Sequence, residues 1–435
     1  MAMCVLPRRH WQRNADPSIV KDTFLVPHEY EALKARLFEV LWQDLAPLAS
    51  EIEDSEHIPH ERVWPILRDI GALGLLIPKE YGGSGLSVTQ YLPLIAEVAK
   101  VHGGIRAALH VHNSFAHAVA DLATEDQKAK LLPDAARGEV SIAFALTEPD
   151  HGTGLDLGTT ARRDGTEFVI NGQKWLITNS DFASHFVVIA RSDQDRDRAL
   201  SAFLVERDTP GLTIERLPET MGCKGGQHGL LMFAAVRVHE EQILGGVEGR
   251  GEEQLECALE ISRLLVAASS WGAAAYALEL SREHALERVT FGKPLGQRQA
   301  IQRYLTEMAT DVYALQAILE DAAAKWDSGR RIPAEASMCK LFGLEAVGRV
   351  TDRALLIFGG IGYTRRHPVE RLYRDARLNW LEEGPPTIQY LTTARELLGG
   401  YSWGSFGRLA GTGDAHMISD VHGLSQDDRN RPRRR

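Results

Sequence analysis

The stretch Asp375-Ala376-Arg377-Leu378-Asn379-Trp380-Leu381-Glu382-Glu383-Gly384-Pro385-Pro386-Thr387-Ile388-Gln389 decides how this chain is read. A helical run gives way to a carboxylate beside a glycine, in apolar surroundings. A carboxylate placed there can be a buried general base, since desolvation raises its pKa toward the working pH. Glu382 adds a second carboxylate. Either the two couple and one pKa rises, or Glu382 faces away. Upstream lie Gly359-Gly360-Ile361-Gly362-Tyr363, Pro368, Glu370-Arg371 and Tyr373-Arg374.

Working back from this stretch, the pattern stays helical to about Glu252. Ile301, Leu305, Met308, Val312, Leu315 and Leu319 alternate steps of four and three, the seam of a helix packed in a bundle. Between about 141 and 250 the period changes. Glu167–Ile170, Lys174–Thr178, Phe186–Arg191, Leu200–Val205 and Leu231–Val238 read as strands, with Asn171-Gly172 as a hairpin turn signal. Below 140, Glu29–Ile52 and His60–Leu73 carry helical spacing, which resumes near Val88 after Gly82-Gly83-Ser84-Gly85. The expected class is α+β. A flexible N-terminus (1–25) precedes a helical domain (26–140), a middle β domain (141–250), a C-terminal four-helix bundle (251–401) and a flexible basic tail (402–435).

The bulk properties exclude several classes. In 435 residues, 44% are hydrophobic and 25% charged, which suits a globular chain with a sizeable core. A net charge of −10 argues against nonspecific nucleic-acid binding. No apolar run suggests a membrane span. The four cysteines are scattered, with no metal spacing, which fits a reducing cytoplasm; sixteen histidines likewise show no metal pattern, so no metal is expected. Arg8, Arg9 and Arg13 precede the first acid, Asp16; this reads as a ragged bacterial N-terminus or as a weak mitochondrial targeting feature.

Three further constellations stand out. Ala145-Leu146-Thr147-Glu148-Pro149-Asp150-His151-Gly152-Thr153-Gly154 reads as a loop where backbone approaches a flat ligand, or as an ordinary Gly-rich turn. Arg288-Val289-Thr290-Phe291-Gly292, followed by Gln299, suits a pyrophosphate at a helix end, or a plain helix cap. Arg106, His110 and Asn113 fall at i, i+4 and i+7, hence on one helix face.

In this order and at these intervals, the motifs resemble the acyl-CoA dehydrogenase family over roughly residues 30–400. The resemblance implies FAD as cofactor. Leu146, Thr147, Gly152, Thr153, Leu176 and Thr178 would lie along the flavin, with Thr178 near N5. Arg288, Thr290, Phe291, Gln299, Gly359, Gly360 and Thr387 would reach the cofactor, the hairpin residues from a neighbouring subunit, which implies a homodimer or homotetramer. Glu383 would be the base and Gly384 would help polarise the thioester carbonyl. Where some relatives carry the base on a helix, directly before an Arg, this chain has Ser262 before Arg263. Arg263 and Lys224 would approach the CoA phosphates, although Lys224 also reads as a surface residue.

The segment with Arg106 and His110 is similar to that of glutaryl-CoA dehydrogenases, where an Arg meets a substrate carboxylate. Here Arg106 reads equally as part of a structural ion pair. The implied activity is α,β-dehydrogenation of a short acyl-CoA, with an acidic distal group or a neutral chain. The acceptor would be an electron-transfer flavoprotein. Alternatives are a carrier-protein thioester substrate, a flavin oxidase or monooxygenase of the same fold, and a non-catalytic relative. The chain departs from the family pattern at Leu176, where a Trp is usual, with Trp175 one place earlier and so expected on the other strand face. Leu356, Pro385 and Pro386 also replace usual cofactor contacts.

Overall fold

The structure, a computed structural model, describes residues 25–151, 156–192, 199–217, 220–226 and 228–399. Helices come first: α1 (Pro27–Val40), α2 (Ala49–Ser55), α3 (His60–Asp69), α4 (Val88–Val101), α5 (Gly103–Leu122) and α6 (Glu125–Ala136). A capping box starts α4, where the Ser87 hydroxyl accepts from Gln90 N at 3.1 Å and the Gln90 side chain accepts from Ser87 N at 3.3 Å. The same device starts α6, between Thr124 and Gln127. α5 is buried along nearly its whole length, so its polar residues have only protein partners to satisfy them.

Seven strands follow: β1 (Ile142–Ala145), β2 (Thr160–Asp164), β3 (Glu167–Ile177), β4 (His185–Arg191), β5 (Leu200–Glu206), β6 (Leu212–Arg216) and β7 (Gly229–His239). They form one sheet in the order β1-β4-β2-β3-β7-β6, with β5 paired to β4. Two sequence expectations fail here for identifiable reasons. Asn171-Gly172 is not a hairpin turn but lies inside β3, at a bulge. The Asn171 side chain accepts from Ala235 N at 2.8 Å, and a Cβ at Gly172 would meet Thr159 Oγ1 at 2.5 Å. The glycine is therefore set by close approach rather than by a turn. Strand alternation also breaks at a second bulge between Lys174 and Ile177, where Leu176 has φ +57°. Trp175 and Leu176 are consequently both exposed instead of alternating.

The chain ends in α7 (Gly251–Glu287), a short hairpin (Val289–Thr290 with Lys293–Pro294), α8 (Gln299–Asp327), α9 (Pro333–Phe358), α10 (Pro368–Leu378) and α11 (Pro386–Leu398). Met308, Leu315 and Leu319 are buried along the α8 seam, with Ile301, Leu305 and Val312 partly covered beside them. α7 is the central helix. It is apolar enough over an 18-residue window to pass a membrane test by composition (mean hydropathy 1.2), but 67% of that window is buried against other helices. At its crossing with α4 a Cβ on Gly272 would sit 1.9 Å from Ala96 O, so glycine alone permits this spacing. The architecture is helix–sheet–helix in the α+β class: a helical N-terminal unit, a middle sheet and a C-terminal four-helix bundle.

Candidate active site

The Glu383 loop joins α10 to α11, and Pro386 in the first turn of α11 ends it sharply. Glu383 itself has φ +55° and Gly384 φ +90°. A left-handed glutamate costs energy and persists only where surrounding structure over-determines it. Three side chains do so. Lys340 Nζ, on α9 and fully buried, donates to Glu382 O at 2.7 Å and to Gly384 O. Gln389 Nε2 donates to Glu383 O at 3.0 Å and Gly384 O at 2.9 Å. Arg263 Nε lies 3.4 Å from Glu383 O. Neither Lys340 nor Gln389 was singled out from sequence, and no local motif marks them.

This turn sends the two adjacent carboxylates to different partners on α5. Arg106 Nη1 meets Glu382 Oε1 at 2.8 Å and Oε2 at 3.1 Å, while Nη2 donates to Asn379 Oδ1 at 2.9 Å. One turn along, His110 Nε2 lies 3.5 Å from Glu383 Oε1 and 3.0 Å from Ser262 Oγ. The shared face of Arg106 and His110 is therefore real, but Asn113 turns to Ala72 O and Leu109 O. Arg106 is only 2% exposed and His110 is fully buried. Both stand behind carboxylates that line the cavity, and neither lines it directly.

Glu383 also departs from expectation in its proton affinity. Burial pushes its pKa up, but the His110 and Ser262 side chains beside it and the Lys340 ammonium outweigh it. The carboxyl is held below its ordinary value, not raised. Burial pulls Lys340 down to about 8, Glu382 and Glu383 hold it up, and Arg263 lowers it further. A lysine depressed in the folded state binds fewer protons there than in the unfolded chain between pH 8 and the ordinary lysine value. Stability from this group therefore rises with pH across that window. Denaturation from pH 7.5 to 10 should show the wild-type stability gaining on Lys340→Met as pH increases.

Glu382, Glu383 and Gly384 line a cavity of about 1060 Å³. Its opposite wall comes from the sheet: Leu146, Thr147, Leu176 and Thr178. The Leu146–Glu148 segment is braced by buried Lys174, whose Nζ donates to Leu146 O at 3.0 Å and Glu148 Oε1 at 2.7 Å. The Trp175 N–H donates to Thr147 O at 2.7 Å. Trp175 itself does not line the cavity; Leu176 takes that place. The Thr178 hydroxyl is paired with His228 Nδ1 at 3.1 Å, a partner that sequence did not suggest. Gly152 and Thr153 fall outside the described residues.

Arg263, Arg191, Arg331 and Arg395 also line the cavity, together with several carboxylates; Arg331 pairs with Glu260 and Arg395 with Glu256. Lys224 does not belong to this cavity. That lysine is buried, paired with Glu56 and part of a separate cleft of about 460 Å³. Arg288, Thr290, Phe291, Gln299, Gly359, Gly360 and Thr387 do not line the main cavity. On the hairpin, Phe291 is 96% exposed with φ +47°, and Arg298 holds the turn through Thr290 Oγ1 at 2.9 Å and the Phe291 ring at 5.5 Å.

Comparison with known proteins agrees with this geometry. Family models for the N-terminal, middle and C-terminal domains of acyl-CoA dehydrogenases match residues 27–139, 143–236 and 249–398. The acryloyl-CoA reductase (NADH) of Anaerotignum propionicum is 36% identical, over 86% of this chain and 96% of that one. The butyryl-CoA dehydrogenase structure from Megasphaera elsdenii superposes with a TM-score of 0.82 at 31% identity, covering 86% and 99%. A glutaryl-coenzyme A dehydrogenase in complex with glutaryl-CoA gives 0.80 at 30% identity, covering 86% and 96%. With all three domain models in order, and a buried carboxylate facing the cavity between sheet and bundle, the chain belongs to the acyl-CoA dehydrogenase family.

Proposed function

We propose that this chain oxidises a short, electrically neutral acyl-CoA between Cα and Cβ, with Glu383 as the base. The observation that carries this is Glu383 itself, a carboxylate at the cavity wall whose proton affinity is lowered by His110, Ser262 and the Lys340 charge. FAD, the cofactor of this family, supplies the acceptor for the hydride leaving Cβ. The residues present fit such a flat group. Leu146, Thr147, Leu176 and Thr178 offer backbone and small side chains along one wall, and the volume exceeds what a single drug-sized ligand needs, ~300–1,000 Å³.

On this reading Glu383 takes the α-proton, and the C–H electron pair left on Cα becomes the new double bond as hydride departs from Cβ. Gly384, beside it on the cavity wall, offers backbone to polarise the thioester carbonyl. Arg263, in the cavity lining, suits the CoA phosphates. The neutral chain follows from charge. Arg106 is already matched by Glu382 and Asn379, and what faces the cavity is the Glu382 carboxylate. A dicarboxylic acyl group would meet like charge there.

An electron-transfer flavoprotein is the proposed acceptor and the cytoplasm the proposed setting. A homo-oligomer is supported by the hairpin: Phe291 is almost wholly exposed, and none of Arg288, Thr290, Phe291 or Gln299 serves the cavity of its own chain. The test is anaerobic loss of oxidised-flavin absorbance against butyryl-, isovaleryl-, hexanoyl- and glutaryl-CoA. Bleaching by a neutral member, with glutaryl-CoA at least tenfold slower, is expected. Preferred bleaching by glutaryl-CoA overturns the neutral assignment. A yellow protein that none of them bleaches overturns the acyl-CoA reading in favour of a carrier-bound thioester.

A further inference from the structure

His110 has no structural task apart from the base. Among the described residues its Nε2 has two polar neighbours, Ser262 Oγ and Glu383 Oε1, and its Nδ1 is buried with no hydrogen-bond partner. One ring nitrogen must carry a hydrogen. An orphaned buried N–H is rarer and costlier than an unused lone pair. The hydrogen therefore belongs on Nε2, directed at Ser262 Oγ and Glu383. The Ser262 hydroxyl is then free to turn its hydrogen toward the Glu383 carboxylate, whose proton affinity it lowers.

We propose that His110 and Ser262 are positioning residues for the base: an imidazole N–H and a serine O–H, in sequence, point at Glu383 and keep its carboxylate ionised and aimed into the cavity. This rests on the assignment of Glu383 as the base. The donors come from two helices, α5 and α7, that cross behind the loop. The other charged groups around Glu383 are Arg263 on α7, Lys340 on α9 and, in its own loop, Glu382 with Arg106 behind it. Arg263 and Lys340 are directed at loop carbonyls, and Arg106 at Glu382. Among the described residues, His110 and Ser262 are the uncharged donors set against the Glu383 carboxylate, His110 Nε2 at 3.5 Å and Ser262 through its contact with His110. A hydrogen bond to an ionised group contributes about 1.5–3 kcal/mol. By the conversion of 1.36 kcal/mol per unit, removing one moves a titration by about one pH unit or more.

The experiment follows exchange of the substrate α-hydrogen with D2O in the holoenzyme by mass spectrometry, from about pH 3 to 8, so that the acid limb of a carboxyl held below its ordinary value is covered. Exchange needs the base but not hydride transfer. In His110→Leu and Ser262→Ala the acid limb of the exchange rate should move upward by about one pH unit. His110→Gln, which replaces the N–H donor with an amide, should restore most of it. KM should change little, because His110 does not line the cavity. Ser262→Ala removes one oxygen and keeps the test open if His110→Leu does not fold. An unmoved acid limb in folded, flavin-loaded Ser262→Ala or His110→Leu overturns the proposal. If Glu383→Gln exchanges as fast as wild type, the base assignment fails instead, which separates the two outcomes.

Discussion

Glu383→Gln is expected to slow α-proton abstraction by about 10²–10⁴-fold, the usual contribution of a positioned general base. Stopped-flow flavin absorbance with saturating butyryl-CoA measures it directly. The amide has nearly the shape of the carboxylate, and the loop is held through main-chain carbonyls by Lys340, Gln389 and Arg263 rather than through the Glu383 side chain. Acyl-CoA affinity and thermal stability should therefore change little. Glu382 cannot take over, because both its oxygens are committed to Arg106. A variant retaining the full rate would show that Glu383 is not the base. Since the carboxyl sits below its ordinary pKa, wild-type bleaching should also stay level as pH falls through 6, and drop only where the carboxylate is protonated.

The carboxylate at the cavity wall was legible in the sequence, as an acid beside a glycine at a helix break. Its electrostatics were not. Burial alone argues for a raised pKa, and only the folded chain shows that α5, α7 and α9 each bring a donor or a cation to it. The same limit applies to Arg106. Its helix face could be read from spacing, but its partner lies 276 residues away. No local pattern encodes that distance. Ser262 could be excluded as a base because a hydroxyl is too weak, yet that argument says nothing of what the hydroxyl holds. Helical periods survived folding because packing obeys them, as the α8 seam shows. Local turn chemistry was overridden at Gly172, where contact with Thr159 decides the residue.

Arg106→Met should be the most destabilising single change at the site. It leaves the Glu382 carboxylate, 15% exposed, without its partner, and removing one member of a buried pair costs about 3–5 kcal/mol. The expected result is a lower denaturation midpoint at pH 7. The double variant Arg106→Met/Glu382→Leu should regain most of the loss, because an apolar pair of similar volume is often as stable as the ion pair it replaces. Full additivity of the two changes would show that the residues are not coupled. The opposite single change separates stability from specificity. Glu382→Ala leaves the Arg106 guanidinium buried behind the cavity wall with Asn379 as its remaining hydrogen-bonded carboxamide partner. A substrate carboxylate then becomes the group best able to neutralise it. Glutaryl-CoA should gain on butyryl-CoA in bleaching rate by at least tenfold relative to wild type, and should raise the midpoint of this variant more than butyryl-CoA does. If the preference stays unchanged, Arg106 does not reach the cavity even when uncovered, and the chain length alone sets which acyl groups are accepted.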